Sequence, residues 1–227
     1  MSDKKNLKKG SDKTTRNLAV GMIIFVVLIG VIFSVVSNKT NSKVAIPTSA
    51  SAADGYGIVF NKDAKVKIDI WEDFQCPHCR EFEMVTGNYI TDLVRAGKIK
   101  AVYHPMTFIG PESILAAAAA ACTADDGKFL DMHAALYNNQ SATENSGKWS
   151  NTTLKLIAIG AGDTKKGVQS CIDSGKYLNW TKNVEADAAK QNVNSTPTMF
   201  INGKQLAQSH YLDLTALKAD LAAAGVK

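Results

Sequence analysis

Long hydrophobic runs are scarce in this chain. There is one, near the start, so a multi-span membrane protein is excluded. Proline is rare, at 5 of 227 residues, and the 16 glycines follow no triplet period, which removes collagen-like arrays. No sequence repeat and no sustained heptad pattern is present, and low complexity is confined to the alanines at 116–121. The four histidines show no HxxxH spacing, and the one close cysteine pair has no second pair to complete a zinc site. A sustained charge excess is missing beyond the first 16 residues. That segment carries six basic and two acidic side chains, and the remainder contributes only +1 to the net +5. The basic excess belongs to a tail and gives no support to nucleic-acid binding. What the composition does supply, 45% hydrophobic and 21% charged residues, is ordinary for a globular protein.

The basic tail leads into an uncharged stretch from Asn17 to Asn38, with Leu18–Val36 reading LAVGMIIFVVLIGVIFSVV. At ~1.5 Å rise per residue this run spans roughly 28 Å, close to the ~30 Å of a bilayer's hydrocarbon core. A buried core helix would not be apolar all round directly after a lysine-rich start. A cleaved signal peptide is the sharper alternative, but its apolar region is usually shorter and the small-residue stretch at Ala50-Ser51-Ala52 lies too far downstream. The expected organisation is a cytoplasmic basic tail at 1–16, a transmembrane signal-anchor helix at 17–38 and a Ser/Thr/Ala/Asn-rich linker at 39–55. A folded domain at 56–227 follows, placed outside the cell membrane by the positive-inside bias.

Within that domain, Lys65–Trp71 alternates with period two, so Val66, Ile68 and Ile70 share a face. The spacing of Phe82, Val85, Tyr89 and Leu93 predicts one helix from Pro77 to about Ala96, stopped by Gly97. Ile99–Tyr103 reads as a second strand, completing a βαβ unit. From Glu112 to about Asn192 the pattern is helical, and the six alanines read as a close-packing helix face. Asn202-Gly203 supplies the two positive-φ residues of a type I′ turn between strands at 198–201 and 204–207. Asp213 is an N-cap for a last helix with Leu214, Leu217 and Leu221 on its apolar stripe.

The chemistry concentrates at Cys76-Pro77-His78-Cys79, where a strand ends and a helix begins. Pro77 suits the first helical position, because its absent N–H has no partner to lose there. Cys76 then becomes the N-cap, its sulfur facing free backbone N–H groups and the positive end of the helix dipole. His78, when protonated, adds a second positive group, and both effects favour the attacking thiolate. Cys79, one turn further in, is within disulfide reach and faces the protein. The expected roles are Cys76 as entering nucleophile and Cys79 as resolving thiol. Ser195-Thr196-Pro197 precedes the hairpin, where a proline reads either as a turn or edge residue or as a cis bond.

WEDFQCPHCREFE, a helical block containing GKFLDMHAALY, and NSTPTMFING with a terminal helix together resemble the DsbA family of thiol:disulfide oxidoreductases over roughly residues 57–224. The resemblance implies an α/β thioredoxin-like fold with an inserted all-helical subdomain at about 112–192, here preceded by a single transmembrane helix. It implies that Pro197 is cis and faces Cys76, and that Thr196 offers backbone groups to an extended substrate strand. It implies reduced or unfolded exported proteins as partners, a quinone-linked membrane oxidase as reoxidising partner, a monomer, and no cofactor beyond the redox-active disulfide. The family often carries a buried acid six residues before the first cysteine. Here that position is Ile70, and Glu72, on the same strand face, becomes the candidate proton relay, with Asp73 close by. Cys122 and Cys171 read either as free core thiols or, from the even count in an oxidising compartment and the family's habit of tying this block together, as a structural disulfide.

Other expectations follow. His104, His133 and His210 read as structural, with His104-Pro105 after the second strand beside a groove. Trp71, Phe74 and Phe82 read as an apolar rim around Cys76 or, for Phe82 especially, as core. The rival functions are a disulfide isomerase or reductase of the same fold and a non-catalytic copper-handling thioredoxin-like protein.

Overall fold

A computed structural model describes residues 44–227. The expected tail at 1–16 and transmembrane helix at 17–38 lie outside the described residues. Among the described residues no helix is long and apolar enough to cross a membrane.

Five strands form one mixed sheet in the order β1-β3-β2-β4-β5. They are β1 (Ile58–Phe60), β2 (Lys67–Asp73), β3 (Lys100–Met106), β4 (Thr198–Ile201) and β5 (Lys204–Gln205). Only the central pair, β2 and β3, runs parallel, with Ile70 opposite Tyr103. That pair is joined by the crossover helix that opens at Cys76. Ile68 and Ile70 are fully buried, as their alternation requires. In the hairpin, Asn202 and Gly203 both take positive φ, at 49° and 77°. Its second strand is shorter than the expected 204–207.

The crossover departs from the single regular helix expected. Helix α1 (Pro77–Phe82) passes through a π-turn (Glu83–Gly87) into α2 (Asn88–Arg95). The wider turn shifts the apolar phase. Thr86 and Ile90 are buried in place of Val85, which is exposed. At Gly87 the Glu83 carboxyl lies where a Cβ would project, so a larger residue would make that side chain shift. Thr86 Oγ1 lies 2.9 Å from Tyr211 O and 3.1 Å from Phe82 O, and its one hydroxyl hydrogen is shared between these carbonyls, fastening the turn.

The inserted block consists of α3 (Pro111–Ala124), α4 (Phe129–Asn138), α5 (Asn151–Gly160), α6 (Lys166–Ser174) and α7 (Trp180–Lys190). Its centre is α3, which packs against the four other helices and β3. All six alanines at 116–121 are buried. The run is therefore not one face but the whole circumference of a central helix, where a small side chain lets neighbours approach on every side. Asp213 caps α8 (Leu214–Ala223) through the N–H groups of Thr215 and Ala216.

The expected linker 39–55 is corrected from residue 44 onward, where the compact unit begins. Thr48 bonds to Asp125, Ala50 bridges to Ile58, and Ser51 caps a 3-10 turn at Ala52–Asp54. Asp54 pairs with Lys100 at 2.6 Å. Small polar residues read as linker because their partners are distant in sequence.

Candidate active site

Cys76 lies at the N-cap of α1, with Pro77 in the first turn behind it. Its Sγ is 3.4 Å from the backbone oxygen of Thr196, and the Thr196–Pro197 peptide is cis. The chain thus folds its two separate signals, the CPHC turn and the loop before β4, against each other. Cys76 and Cys79 are unbonded in this structure, a dithiol.

Their surroundings push them in opposite directions. A hydrogen bond from the Cys79 thiol, helped by the Thr196 side chain and the backbone N–H groups of Cys79 and His78, overcomes burial and lowers Cys76 to about 5. Cys79 is fully buried, and that burial raises its thiol well above the ordinary range. At neutral pH one sulfur is a thiolate and the other a thiol. The His78 side chain is 81% exposed, its Nδ1 3.7 Å from Glu81. It is the residue's backbone N–H, not its ring, that serves Cys76 here.

The inserted block grips the same turn. Gln140 Nε2 donates to Phe74 O at 2.8 Å and to Cys76 O at 3.0 Å. Arg80 Nε donates to Tyr137 O at 3.2 Å. Asp73, fully buried at the end of β2, accepts from Gln75 N, Ser113 Oγ and Ile109 N. Burial holds its carboxyl at about 6 despite those donors.

Glu72 is buried beneath the thiols, close enough that its charge raises Cys79 further. It does not stand alone. His133 Nε2 is 3.0 Å from Glu72 Oε2, and His133 Nδ1 is 3.7 Å from Glu83 Oε2. Burial raises both acids, Glu72 well above the carboxylate range and Glu83 to about 8, with the neighbouring Glu72 charge adding to Glu83. Burial also lowers His133, so the ring is neutral. Sequence reasoning missed Glu83 and gave His133 no role at the site. The available signals were spacing: Glu83 is four residues past Cys79, and Phe129, His133 and Tyr137 recur at intervals of four. Among the described residues these are the one threesome of histidine and acid groups within 4.8 Å of one another. The 3.0 Å contact is a hydrogen bond, so the trio shares protons rather than offering open ligands.

Two expectations about the surroundings are corrected. Trp71 and Phe74 are buried and form no rim, packed against His104 and Tyr137, while Phe82 is core, as expected, against Tyr211. Instead Met84, Val85, Phe108 and Leu212 are exposed. A groove of about 570 Å³ is lined by Pro77, Arg80, Met84, Val85 and Gln140. A second, of about 360 Å³, is lined by His78, Thr196, Pro197, Tyr211 and Leu212. His104 lies within β3, not after it, its ring stacked on Trp71 at 3.6 Å and hydrogen-bonded to Asp69. Far from this turn in sequence, Cys122 on α3 and Cys171 on α6 form a disulfide.

A thioredoxin family model matches residues 56–217. Among solved structures, the disulfide bond oxidoreductase DsbG from Mycobacterium tuberculosis is 33% identical, with a TM-score of 0.62 over 72% of this chain and 80% of that one. Disulfide bond formation protein D from Bacillus subtilis is 26% identical over 174 residues, 74% of this chain and 77% of that protein. The Na(+)/H(+) antiporter NhaA 1 of Mycobacterium sp. is 28% identical over 147 residues, 63% of this chain. The match spans only 23% of the antiporter's length.

Proposed function

The chain belongs to the thioredoxin family, and from that premise we propose that it is an extracytoplasmic thiol:disulfide oxidoreductase introducing disulfides into exported proteins. The observation that carries this reading is the opposed tuning of two adjacent thiols, Cys76 lowered to about 5 and Cys79 raised. A thiolate held stable on Cys76 favours the dithiol form, so the disulfide form is a ready oxidant.

In the disulfide form, a substrate thiolate attacks Cys76 Sγ, the Cys76–Cys79 bond breaks, and Cys79 departs with the electron pair and takes a proton. A second substrate thiolate then attacks the substrate sulfur of the mixed disulfide, and Cys76 leaves as the thiolate its site prefers. The substrate is oxidised by two electrons and the enzyme is left as the dithiol. Thr196 and Pro197 hold an extended substrate strand beside Cys76 by backbone pairing. The grooves beside residues 77–81 and the exposed Met84, Val85 and Leu212 suit the apolar segments that unfolded chains display. The remaining elements are a transmembrane anchor at 17–38, a monomeric domain outside the membrane, a quinone-linked reoxidising partner and no cofactor besides the disulfide.

The test uses the full chain, oxidised, with a reduced two-cysteine peptide. Wild type is expected to oxidise the peptide, Cys76→Ser to be inactive, and Cys79→Ser to accumulate a mixed disulfide through Cys76. Equal trapping by both variants would overturn the assignment of roles. Isomerisation of scrambled substrates in preference to oxidation would favour the isomerase or reductase, and tight copper binding by the dithiol without turnover would favour a copper carrier.

A further inference from the structure

Between the end of β2 and the start of α1 the chain makes a tight turn, closed by Cys76 N donating to Asp73 O at 2.9 Å. Asp73 Oδ1 fixes its middle by accepting from Gln75 N at 2.8 Å. The inserted block takes hold of the rest. On one side Ser113 Oγ accepts from Gln75 Nε2 at 2.9 Å, and Asn145 N donates to Gln75 Oε1 at 2.6 Å. On the other, Gln140 Nε2 lies 2.8 Å from Phe74 O and 3.0 Å from Cys76 O. A side-chain amide nitrogen carries two hydrogens, so each carbonyl receives its own and the contact is a fork.

What the fork spans gives it consequence. The rotations between those two carbonyls are φ and ψ of Gln75 and φ and ψ of Cys76. Pro77 already confines ψ of Cys76 to the extended region, where it stands at 119°. The fork and the bonds to Gln75 hold the others. Among them φ of Cys76, −70°, swings the Cα–Cβ bond relative to the peptide before it. With these set, one side-chain torsion aims Sγ at the N–H groups of His78 and Cys79 that favour its thiolate.

The end of α4 delivers Gln140 to this place. Gln140 N donates to Tyr137 O at 3.2 Å, and Arg80 Nε, from α1, donates to the same carbonyl at 3.2 Å. Those bonds tie α4 to α1, so the amide is carried by a fixed helix end and not by a free loop. Gln140 is half-buried, at the edge of the groove that Arg80 and Met84 also line. It bonds to backbone and not to sulfur, so it takes no part in the exchange itself.

We infer that Gln140 is a positioning residue for thiol exchange, its amide fork on Phe74 O and Cys76 O aiming the Cys76 sulfur. The assignment rests on the oxidase reading for its effect on rate and on the turn alone for its effect on the thiolate. Displacement at sulfur needs the attacking sulfur, Cys76 Sγ and the departing Cys79 Sγ nearly in line, so an aim lost by a fraction of an ångström slows it. The inserted block is in this way part of the exchange machinery, through one side-chain amide.

The experiment compares the wild-type full chain with Gln140→Met, which keeps the length of the side chain and removes both donors. Three quantities are read. They are the Cys76 thiolate midpoint of the dithiol form by absorbance against pH, the single-turnover rate at which the disulfide form oxidises a reduced peptide, and the melting temperature. Gln140→Met is expected to raise the midpoint by ~0.5–1 unit, because the N–H groups then meet the sulfur less squarely. It is expected to slow oxidation ~10-fold, within the ~10²-fold that a ~1 Å misplacement costs. Gln140→Asn, with the same amide one methylene shorter, cannot span both carbonyls and should move both readings in the same direction. A lower melting temperature with unchanged midpoint and rate would make Gln140 a structural tie and overturn the assignment. A slower rate with an unchanged midpoint would overturn it too, since it would assign Gln140 to contact with the peptide in the groove. If Gln140→Met does not fold, Gln140→Asn decides by the same readings. Failure of the wild type to oxidise the peptide would count against the oxidase reading, and the midpoint, measured without peptide, would still decide the fork.

Discussion

The chain holds two cysteine pairs whose chemistry is set by their surroundings. Cys76 and Cys79 are three residues apart at the first turn of a helix, where free N–H groups and the positive dipole end stabilise a thiolate. Cys122 and Cys171 are 49 residues apart and join α3 to α6. Cys122 lies in the last turn of its helix and Cys171 three residues before the end of its own. There the dipole is negative, so either sulfur would be a poor leaving group. One pair is built to exchange and the other to stay. A thiol's position along a helix is as informative as its partner.

The largest expected effect separates the pairs by stability. Closing a ~50-residue loop stabilises by ~4 kcal/mol in the chain-entropy model. The double variant Cys122→Ser/Cys171→Ser should therefore melt ~10 °C lower, at 2–4 °C per kcal/mol for a domain of this size. Peptide oxidation at 25 °C should be unchanged. Calorimetry and the peptide assay check both halves. A change in the reduction potential of Cys76–Cys79 in this variant would break the separation, since it would mean the inserted block transmits strain to the turn.

A second, smaller effect concerns pH and belongs to the first pair alone. Cys76 has a folded pKa of about 5 against ~8.5 for a free thiol. Its folded value is depressed, so its contribution to the dithiol form is complete above ~8.5, declines as pH falls, and is gone below about 5. At pH 7 about two pKa units are realised, roughly 3 kcal/mol or about 60 mV in potential. The disulfide form has no such group. The raised acids Glu83 and Asp73 pull the other way, losing stability as pH rises through about 8 and 6, and the part of the Asp73 shift that comes from the Cys76 charge belongs to the dithiol form alone. Urea unfolding of both forms at pH 5, 6 and 7 should show the dithiol's advantage shrinking toward zero at pH 5. An advantage independent of pH would mean Cys76 is not the titrating group.

Much of this was legible in sequence because it is local. The CPHC turn, the Asn202-Gly203 hairpin and the Asp213 cap are each determined by a few adjacent residues, and the βαβ order follows from them. What was not legible depends on distant partners. The strands read as ending at Trp71 and Tyr103, but Glu72-Asp73 and His104-Pro105-Met106 continue them. They are strand because Ser113, His133 and Asp69 satisfy their polar groups and because β1 no longer flanks β3 there. Three-residue β1 is too short to show a period. Val85 was placed on the buried face because a π-turn adds a residue that regular spacing cannot anticipate. The partners of that turn are distant: Thr86 bonds to Tyr211 O, and Glu83 faces His133.

The smallest effect sharpens the comparison within the first pair, by asking which neighbour makes Cys76 a thiolate. The sequence pointed to the helix N-terminus and, as a second positive group, the His78 imidazole. In the structure that ring is exposed and turned to Glu81, and an exposed charge in high dielectric contributes little. The Cys79 thiol donates directly to the sulfur, and a hydrogen bond to the charged form is the stronger lever. Cys79→Ala should therefore raise the Cys76 midpoint by ~1–2 units, partly offset by the water its cavity admits. His78→Ala keeps the backbone N–H that Cys76 uses and should raise the midpoint by less than ~1 unit. Thiolate absorbance against pH measures both. If His78→Ala produced the larger shift, the ring would be turned toward the sulfur in solution, and the imidazole would replace the buried thiol as the dominant donor.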